Sequence, residues 1–337
     1  MDCHQFSYTS MKNLSSILLA SRSTSAKNSS LSSPVRFRRE RRRPFYISAG
    51  PYNSGMLQLR CTVRNCSHPL VHTEGRLACD AGHHFDPAKE GYWNLTQPQD
   101  KKSTNPGDNR DAVLARHRWL GRGHAAGVVT VLKLWIPDSI PQMRILDLGC
   151  GDGSFGPWMF PGHATSYCGI DLSKPAMKLA ARNWPEATWI LANADRGLPV
   201  MGSSVDCVVS LFGRRPVAEI KRVLSEPGRC IVAVPAEDDL IELREAVQKE
   251  GTHRNRVDAI IQEMDTNGLV CAEQKQWRTQ VEIGADEIED AFAMTYRARR
   301  WSEQKRIPSI NTAKVTLAAD LMLFHHKYSA RLSVQFR

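Results

Sequence analysis

Residues 147–153 have the sequence DLGCGDG, and they are the most informative segment of this chain for its fold. It overlaps the end of the apolar run RILDL at residues 144–148, and its glycines recur at every second position. Glycine tolerates backbone angles that other residues avoid, and it lets a ligand approach the main chain closely. The stretch therefore predicts a turn that leaves a strand, enters a helix and borders a bound small molecule. The alternative is an ordinary tight strand–helix turn.

Further apolar runs alternate with amphipathic segments after this turn. Short apolar runs predict strands, whereas apolar residues that recur every three or four positions predict helices. The predicted strands cover residues 144–148, 166–171, 188–192, 205–211 and 229–234, and the predicted helices cover residues 174–184 and 217–224. Repeated strand–helix units of this length predict a doubly wound α/β sheet with parallel strands.

The glycine spacing separates two classes of nucleotide-binding protein. Proteins that bind dinucleotides carry G-x-G-x-x-G at this turn. The present loop does not match that spacing, which disfavours an NAD-dependent oxidoreductase. Asp171 ends the second predicted strand. An acid about 20 residues after the loop binds ribose hydroxyls in sheets of this kind, so we expect Asp171 to hold a nucleoside.

A cluster of potential metal ligands precedes this sheet. Cys61 and Cys66 form one close pair, and Cys79 and His83 form a second pair after a gap of twelve residues. Each pair can supply one edge of a tetrahedron, which is the geometry of structural zinc. A unit of about 40 residues with few apolar side chains needs such a staple to fold. The alternative is a loop in which these side chains are scattered and His83 or His84 is merely exposed.

The net charge is concentrated at the amino terminus. The chain has 337 residues and a net charge of +10, and residues 1–50 contain nine Lys and Arg against two acids. This segment is also rich in serine. Such a composition is typical of an organelle transit peptide, and its serine content favours the chloroplast over the mitochondrion. A basic arm that holds RNA electrostatically is the alternative.

Composition also divides the chain into units. The predicted units are a transit peptide at 1–55, a zinc-binding module at 56–96, a linker and helix at 97–125, a main domain at 126–328 and a tail at 329–337. Five further cysteines stand singly in apolar runs. We expect them in the core of a protein from a reducing compartment. No stretch approaches the roughly 20 apolar residues that cross a bilayer, so no membrane partner is expected.

Several motifs together resemble one enzyme family. They are the Cys and His pairs, AKEGYWNL at 88–95, PGD at 106–108, RHRWLGRGH at 116–124, the glycine loop, GIDLSK at 169–174 and LIEL at 240–243. This combination resembles the bacterial large-subunit (23S) rRNA guanine-N1 methyltransferases over residues 57–325. The resemblance implies a zinc module that reads an rRNA hairpin. It also implies a Rossmann-like class I domain that methylates one guanine with S-adenosyl-L-methionine.

The resemblance also assigns roles to individual residues. It implies that Asp147 holds the ammonium group of the cofactor, and that Asn193 and Asp195 lie against its adenine. His83 is the implied fourth zinc ligand, because the family pattern separates its third Cys from its His by three residues. The implied cofactor residues are Asp147, Gly149, Gly151, Asp152, Asp171, Asn193 and Asp195, and the implied zinc ligands are Cys61, Cys66, Cys79 and His83. A homodimer is a further expectation.

Some positions depart from the family pattern. FGRRP at residues 212–216 replaces Tyr-Ala-Pro, Ala125 replaces a Tyr that contacts the cofactor, and Asp239 replaces a site-lining His. Guanine N1 carries a proton, so the reaction needs a base. Asp239 is the candidate base, and the alternative is that it simply begins a helix. The departures leave open a methyltransferase of a small organelle metabolite and a non-catalytic RNA-binding protein with the same fold.

Aromatic and basic side chains offer further RNA contacts. Tyr92, Trp93 and Trp119 are suited to stack on unpaired bases, although core packing is the commoner outcome for such residues. Arg214 and Arg215 follow the fourth predicted strand. They are suited to hold phosphate or to stack on a base. A solvated helix start is the alternative for these two residues.

Overall fold

The computed structural model describes residues 57–98, 107–137, 142–247, 256–294 and 311–327. The predicted transit peptide at 1–55 and the predicted tail at 329–337 lie outside the described residues. None of the helices in these ranges is long and apolar enough to cross a membrane.

Five short strands form within the predicted zinc module. They are β1 (Leu59–Arg60), β2 (Pro69–Thr73), β3 (Arg76–Ala78), β4 (His84–Phe85) and β5 (Trp93–Asn94). The first four pair in chain order as an antiparallel sheet. Glu74 and Gly75 connect β2 to β3 with φ angles of 50° and 81°. Two successive residues with positive φ match the right-handed twist of a tight hairpin.

Five parallel strands form the centre of a larger sheet. After helices α1 (Arg110–Gly121) and α2 (Ala126–Lys133) come β6 (Ile145–Leu148), α3 (Phe155–Met159), β7 (Tyr167–Asp171), α4 (Lys174–Asn183), β8 (Thr188–Leu191), β9 (Val205–Leu211), α5 (Val217–Val223) and β10 (Leu224–Pro235). The spatial order is β10-β9-β6-β7-β8, so the chain changes direction across the sheet at β6. Ligands of open α/β sheets bind at the carboxyl ends of the strands beside such a switch point.

Two long antiparallel strands complete this sheet. The last elements are α6 (Ile241–Val247), α7 (Val257–Thr266), β11 (Leu269–Gly284), α8 (Ala285–Ala293) and β12 (Thr312–His326). β12 lies between β10 and β11 and is antiparallel to both. The predicted doubly wound α/β fold is therefore confirmed, but the sheet is mixed rather than wholly parallel.

The amino-terminal strands and the large sheet share one hydrophobic core. β5 adds to the sheet as a parallel neighbour of β8. Leu59 of β1 also forms an isolated antiparallel bridge to Val200. Leu59 and Leu77 are buried in the same apolar cluster as Leu198 and Val200. All described residues belong to one compact unit. We therefore expect loss of the metal to destabilise the large sheet as well.

Ser173 joins the start of α4 to the segment before α1. Its Oγ accepts a hydrogen bond from the Ala176 amide and donates one of 2.7 Å to the Asp108 carbonyl. Gly107 has a φ of 77°, and a Cβ there would lie 2.7 Å from the Ser173 nitrogen. Only glycine fits this close approach. The segment before α1 is therefore held against the end of β7.

Candidate active site and metal centre

The four predicted zinc ligands lie together. The ligand atoms of Cys61, Cys66, Cys79 and His83 are all within 4.8 Å of one another. The Sγ atoms of Cys66 and Cys79 are 3.8 Å apart, and His83 Nδ1 lies 3.6 Å from Cys61 Sγ and 3.5 Å from Cys79 Sγ. His84 is exposed on β4. The alternative of scattered side chains is therefore wrong.

These separations fit a tetrahedral zinc ion. Zinc bonds of about 2.3 Å to sulfur and 2.0 Å to nitrogen place two sulfurs about 3.8 Å apart, and a sulfur about 3.6 Å from a nitrogen. Burial raises the pKa of the Cys61 thiol to about 12, so this thiol keeps its proton at neutral pH when no metal is bound. Zinc binds the thiolate and releases that proton, which makes zinc affinity depend on pH.

The glycine loop follows the carboxyl end of β6. Gly149 and Gly151 have φ angles of 70° and 57°, which are unfavourable for residues with a side chain. The amides of Gly149 and Cys150 donate hydrogen bonds of 2.8 Å and 3.2 Å to the Ile170 carbonyl, which fixes the loop to β7. A ligand can therefore approach this backbone without meeting a Cβ atom.

Asp171 ends β7 and holds the same loop. Its Oδ2 accepts a 3.0 Å hydrogen bond from the Gly151 amide, and its Oδ1 accepts a 2.7 Å bond from the Ser173 amide. Desolvation raises the pKa of Asp171, and these two amide bonds oppose the rise. Each carboxylate oxygen can accept a second hydrogen bond. Asp171 therefore retains acceptors for two ribose hydroxyls while it supports the loop.

Asp147 is turned into the core beneath the loop. Its side chain lies in β6 with 2% exposure, and one carboxylate oxygen accepts a hydrogen bond from the Tyr167 hydroxyl. Burial raises the pKa of Asp147 to about 7, although the bond from Tyr167 acts in the opposite direction. The structure thus gives this carboxylate a buried partner of its own. Its contact with the ammonium group of the cofactor stays a prediction.

Asp152 contacts a residue that the sequence did not single out. Its Oδ2 lies 2.5 Å from Nδ1 of His117 on α1 and accepts a 2.7 Å hydrogen bond from Ser154 Oγ. The Asp152 side chain is 3% exposed, whereas the His117 side chain is 41% exposed. A half-exposed imidazole is therefore anchored to a buried carboxylate of the cofactor loop. A single His within a helical pattern gives no local signal of this, because the contact depends on how α1 packs.

Asn193 and Asp195 lie beyond β8, next to the end of β7. Asn193 Oδ1 accepts a 3.1 Å bond from the Asp195 amide. Arg214, which follows β9, pairs with the exposed carboxylate of Asp195 through Nη2 at 2.9 Å and Nε at 3.2 Å. Arg214 is thus paired with the acid that the family resemblance places at the adenine. Arg215 is partly buried, and burial lowers the pKa of its guanidinium.

Asp239 lies between β10 and α6. Its Oδ1 accepts a 2.9 Å hydrogen bond from the Ala318 amide in β12. Burial raises the pKa of Asp239 to about 6. Asp239 lies just before α6, which agrees with the alternative that it begins a helix. Its carboxylate, however, accepts its hydrogen bond from the neighbouring strand β12. It is therefore a partly desolvated acid at the same sheet edge as the cofactor loop.

The aromatic residues proposed for base stacking are mostly in the core. Tyr92 and Trp119 are 3% and 6% exposed. Trp93 is half-buried, and its ring centroid lies 5.2 Å from that of His72 in an edge-on arrangement. Core packing is confirmed for Tyr92 and Trp119.

Comparison with known proteins decides the family. Two family models match, the RlmA amino-terminal zinc ribbon at residues 59–104 and a methyltransferase domain at residues 145–232. The 23S rRNA (guanine(748)-N(1))-methyltransferase of Streptomyces fradiae is 31% identical over 198 residues, which are 56% of this chain and 67% of that protein. The chain belongs to the 23S rRNA guanine-N1 methyltransferase family. YxjB of Bacillus subtilis (strain 168) is 27% identical over 280 residues, 78% of this chain and 95% of that protein.

Membership of the 23S rRNA guanine-N1 methyltransferase family assigns the two ligands. The chain is an S-adenosylmethionine-dependent methyltransferase with a zinc ribbon. S-adenosylmethionine supplies a methyl group bound to a positively charged sulfur. The residues that would hold it are Asp171 at the ribose, the backbone of Gly149 and Gly151, and Asn193 and Asp195 at the adenine. The structure places them at the ends of the adjacent strands β6, β7 and β8.

Proposed function

We propose that this chain methylates N1 of one guanine in the large-subunit rRNA of an organelle. The observation that carries the proposal is the shared core of the zinc ribbon and the sheet that bears the cofactor loop. A reader of an RNA hairpin must be held rigidly beside the catalytic site, whereas a small metabolite needs no such module. The family relationship supports the same substrate.

We propose the chloroplast as the compartment, with the mitochondrion as the alternative. The support comes from residues 1–50, which are rich in serine, contain nine basic residues against two acids and have the composition of a transit peptide.

The reaction requires an unpaired guanine and a proton acceptor. N1 lies on the pairing edge of the base and carries a proton, so the base must leave its partner and lose that proton. Two groups are suited to accept it. Asp239 has a pKa of about 6 and is ionised above that pH. His117 binds the Asp152 carboxylate through Nδ1, which leaves Nε2 as an acceptor. The rest of catalysis is alignment of the nitrogen with the methyl group.

Replacement of Asp239 by asparagine distinguishes the two groups. If Asp239 is the base, methyl transfer by the wild type decreases as the pH falls through about 6, because the protonated carboxyl cannot accept a proton. Asp239→Asn should then lower kcat about 100-fold or more and remove this dependence.

The fold favours the protonated form of Asp239, so the charge of this side chain costs stability above pH 6. Asp239→Asn should therefore raise the thermal midpoint at pH 8.

The matched variant for the kcat measurement is His117→Gln. A kcat of Asp239→Asn within about twofold of the wild type, together with a large loss in His117→Gln, would assign proton removal to His117. A loss in Asp239→Asn alone would assign it to Asp239.

A primer-extension map tests the substrate and the compartment together. A methyl group on N1 blocks base pairing, so reverse transcriptase stops at the modified guanine. We expect one stop in the large-subunit rRNA of one organelle to vanish when the protein is removed and to return when the wild type is restored. Identical stops in chloroplast and mitochondrial rRNA with and without the protein would contradict the proposal. Labelled S-adenosylmethionine that marks only small molecules would indicate the metabolite enzyme instead.

A further inference from the structure

Three aromatic side chains form a continuous ledge beside the cofactor loop. Phe212 and Trp158 are 44% and 38% exposed, and exposed apolar side chains that adjoin one another mark binding surfaces. Phe155 lies between them, with its ring centroid 6.3 Å from that of Phe212 and 5.9 Å from that of Trp158. We call Phe155, Trp158 and Phe212 the aromatic ledge.

Backbone contacts fix the ledge to the loop. Phe212 directly follows β9, and Phe155 begins α3. A Cβ atom on Gly213 would lie 3.0 Å from the Leu148 carbonyl oxygen, and one on Gly149 would lie 3.4 Å from the Gly213 Cα. The chain next to Phe212 is therefore in close contact with the loop that borders the cofactor. The ledge therefore borders the predicted cofactor site.

The conformation of Phe212 is unfavourable for its residue type. Its φ is 60°, in the left-handed region that bulky residues avoid. The Phe212 amide donates a 2.8 Å hydrogen bond to the Ala233 carbonyl, which holds the backbone in this position. Burial does not compensate for the strain, because the residue is 44% exposed. Strained residues of this kind concentrate at ligand-binding sites.

We infer that the target guanine stacks on the aromatic ledge, with Phe212 as its principal contact. The inference rests on the proposed function and deepens it. A purine stacked by its flat face leaves its pairing edge free, and that edge carries N1. Stacking also compensates for the contacts that the base loses when it leaves its helix. Phe212 is thus a positioning residue that orients N1 toward the methyl group.

Phe212 variants test this inference. The assay is methyl transfer to an rRNA hairpin under single-turnover conditions, with affinity for S-adenosylmethionine measured separately. Phe212→Ala should lower kcat/KM for RNA about 5- to 150-fold, which corresponds to the loss of one base–aromatic stack. Phe212→Tyr should retain activity because it keeps the ring, whereas Phe212→Leu should lose it. Leu134→Ala, at an apolar residue 69% exposed at the end of α2, is the surface control.

A fluorescent guanine analogue at the target position separates this inference from the proposed function. Stacking on Phe212 should quench the analogue in the wild type and in Phe212→Tyr but not in Phe212→Ala. If the wild type transfers no methyl group to RNA, the proposed function fails, and the quenching still reports on the ledge. Equal quenching and equal kcat/KM in wild type, Phe212→Ala and Phe212→Leu would overturn the inference. A loss of cofactor affinity equal to the loss of kcat/KM would also overturn it.

Discussion

The Cys61→Ser variant is expected to lose its zinc and much of the stability of the whole described unit. Structural zinc contributes about 10 kcal/mol or more to small modules, which is comparable with the total stability of a typical domain. The loss extends beyond the module because Leu59 and Leu77 pack in one cluster with Leu198 and Val200 of the larger domain. We expect the thermal midpoint to fall by about 10 °C or more.

Three measurements check this expectation. Metal analysis should fall from one zinc per chain to almost none, and residues 56–96 should become sensitive to protease. Methyl transfer should decline with the folded fraction. Cys271→Ser is the matched control, because Cys271 is a partly exposed thiol outside the metal cluster. Full zinc occupancy in Cys61→Ser would refute the proposed ligand set.

Asp171→Asn is expected to abolish useful binding of S-adenosylmethionine. The carboxylate would hold two ribose hydroxyls and also accepts the amides of Gly151 and Ser173. Hydrogen bonds to a charged group contribute about 1.5–3 kcal/mol each, so losing two weakens binding by about 150-fold to 25,000-fold. In the asparagine variant, the side-chain NH₂ group would face one of these two backbone amides. Two donors cannot form a hydrogen bond with each other, so the loop would be held less firmly.

Calorimetric titration with S-adenosylmethionine gives the affinity directly. Asp265→Asn is the matched control, since Asp265 is a half-exposed acid at the end of α7 that pairs with Lys327. Its affinity should equal that of the wild type. An Asp171→Asn protein that binds within about threefold of the wild type would place the ribose elsewhere.

The sequence was sufficient for features that depend on short-range chemistry. Glycine at alternate positions, an acid at the next strand end and two close pairs of metal ligands each restrict the local geometry. The cofactor loop, Asp171 at the end of β7 and the cluster of Cys61 with His83 therefore lie where they were predicted. The five central strands were also predicted, because their apolar runs report burial on both faces.

The antiparallel part of the sheet was harder to predict. β11 is rich in charged and amide side chains, and many of its side chains are exposed along the edge of the sheet. Its partner β12 lies beyond α8 in the chain, and a pairing between such distant segments leaves no local signature. The addition of β5 to the sheet beside β8 was not predicted either, because a strand of two residues is too short to have a recognisable sequence pattern.

The sequence alone predicted the main chemical features of the chain, namely a glycine-rich cofactor loop, an acid placed to bind a ribose and a zinc ribbon. The exposure of individual side chains and their distant partners became visible in the folded structure alone. The fold buried Asp147 against Tyr167, placed His117 on Asp152 and left Phe212 exposed. Ligand spacing and backbone angles act over a few residues, so a local pattern is enough to predict them. Exposure depends instead on which surfaces, distant in the chain, cover one another.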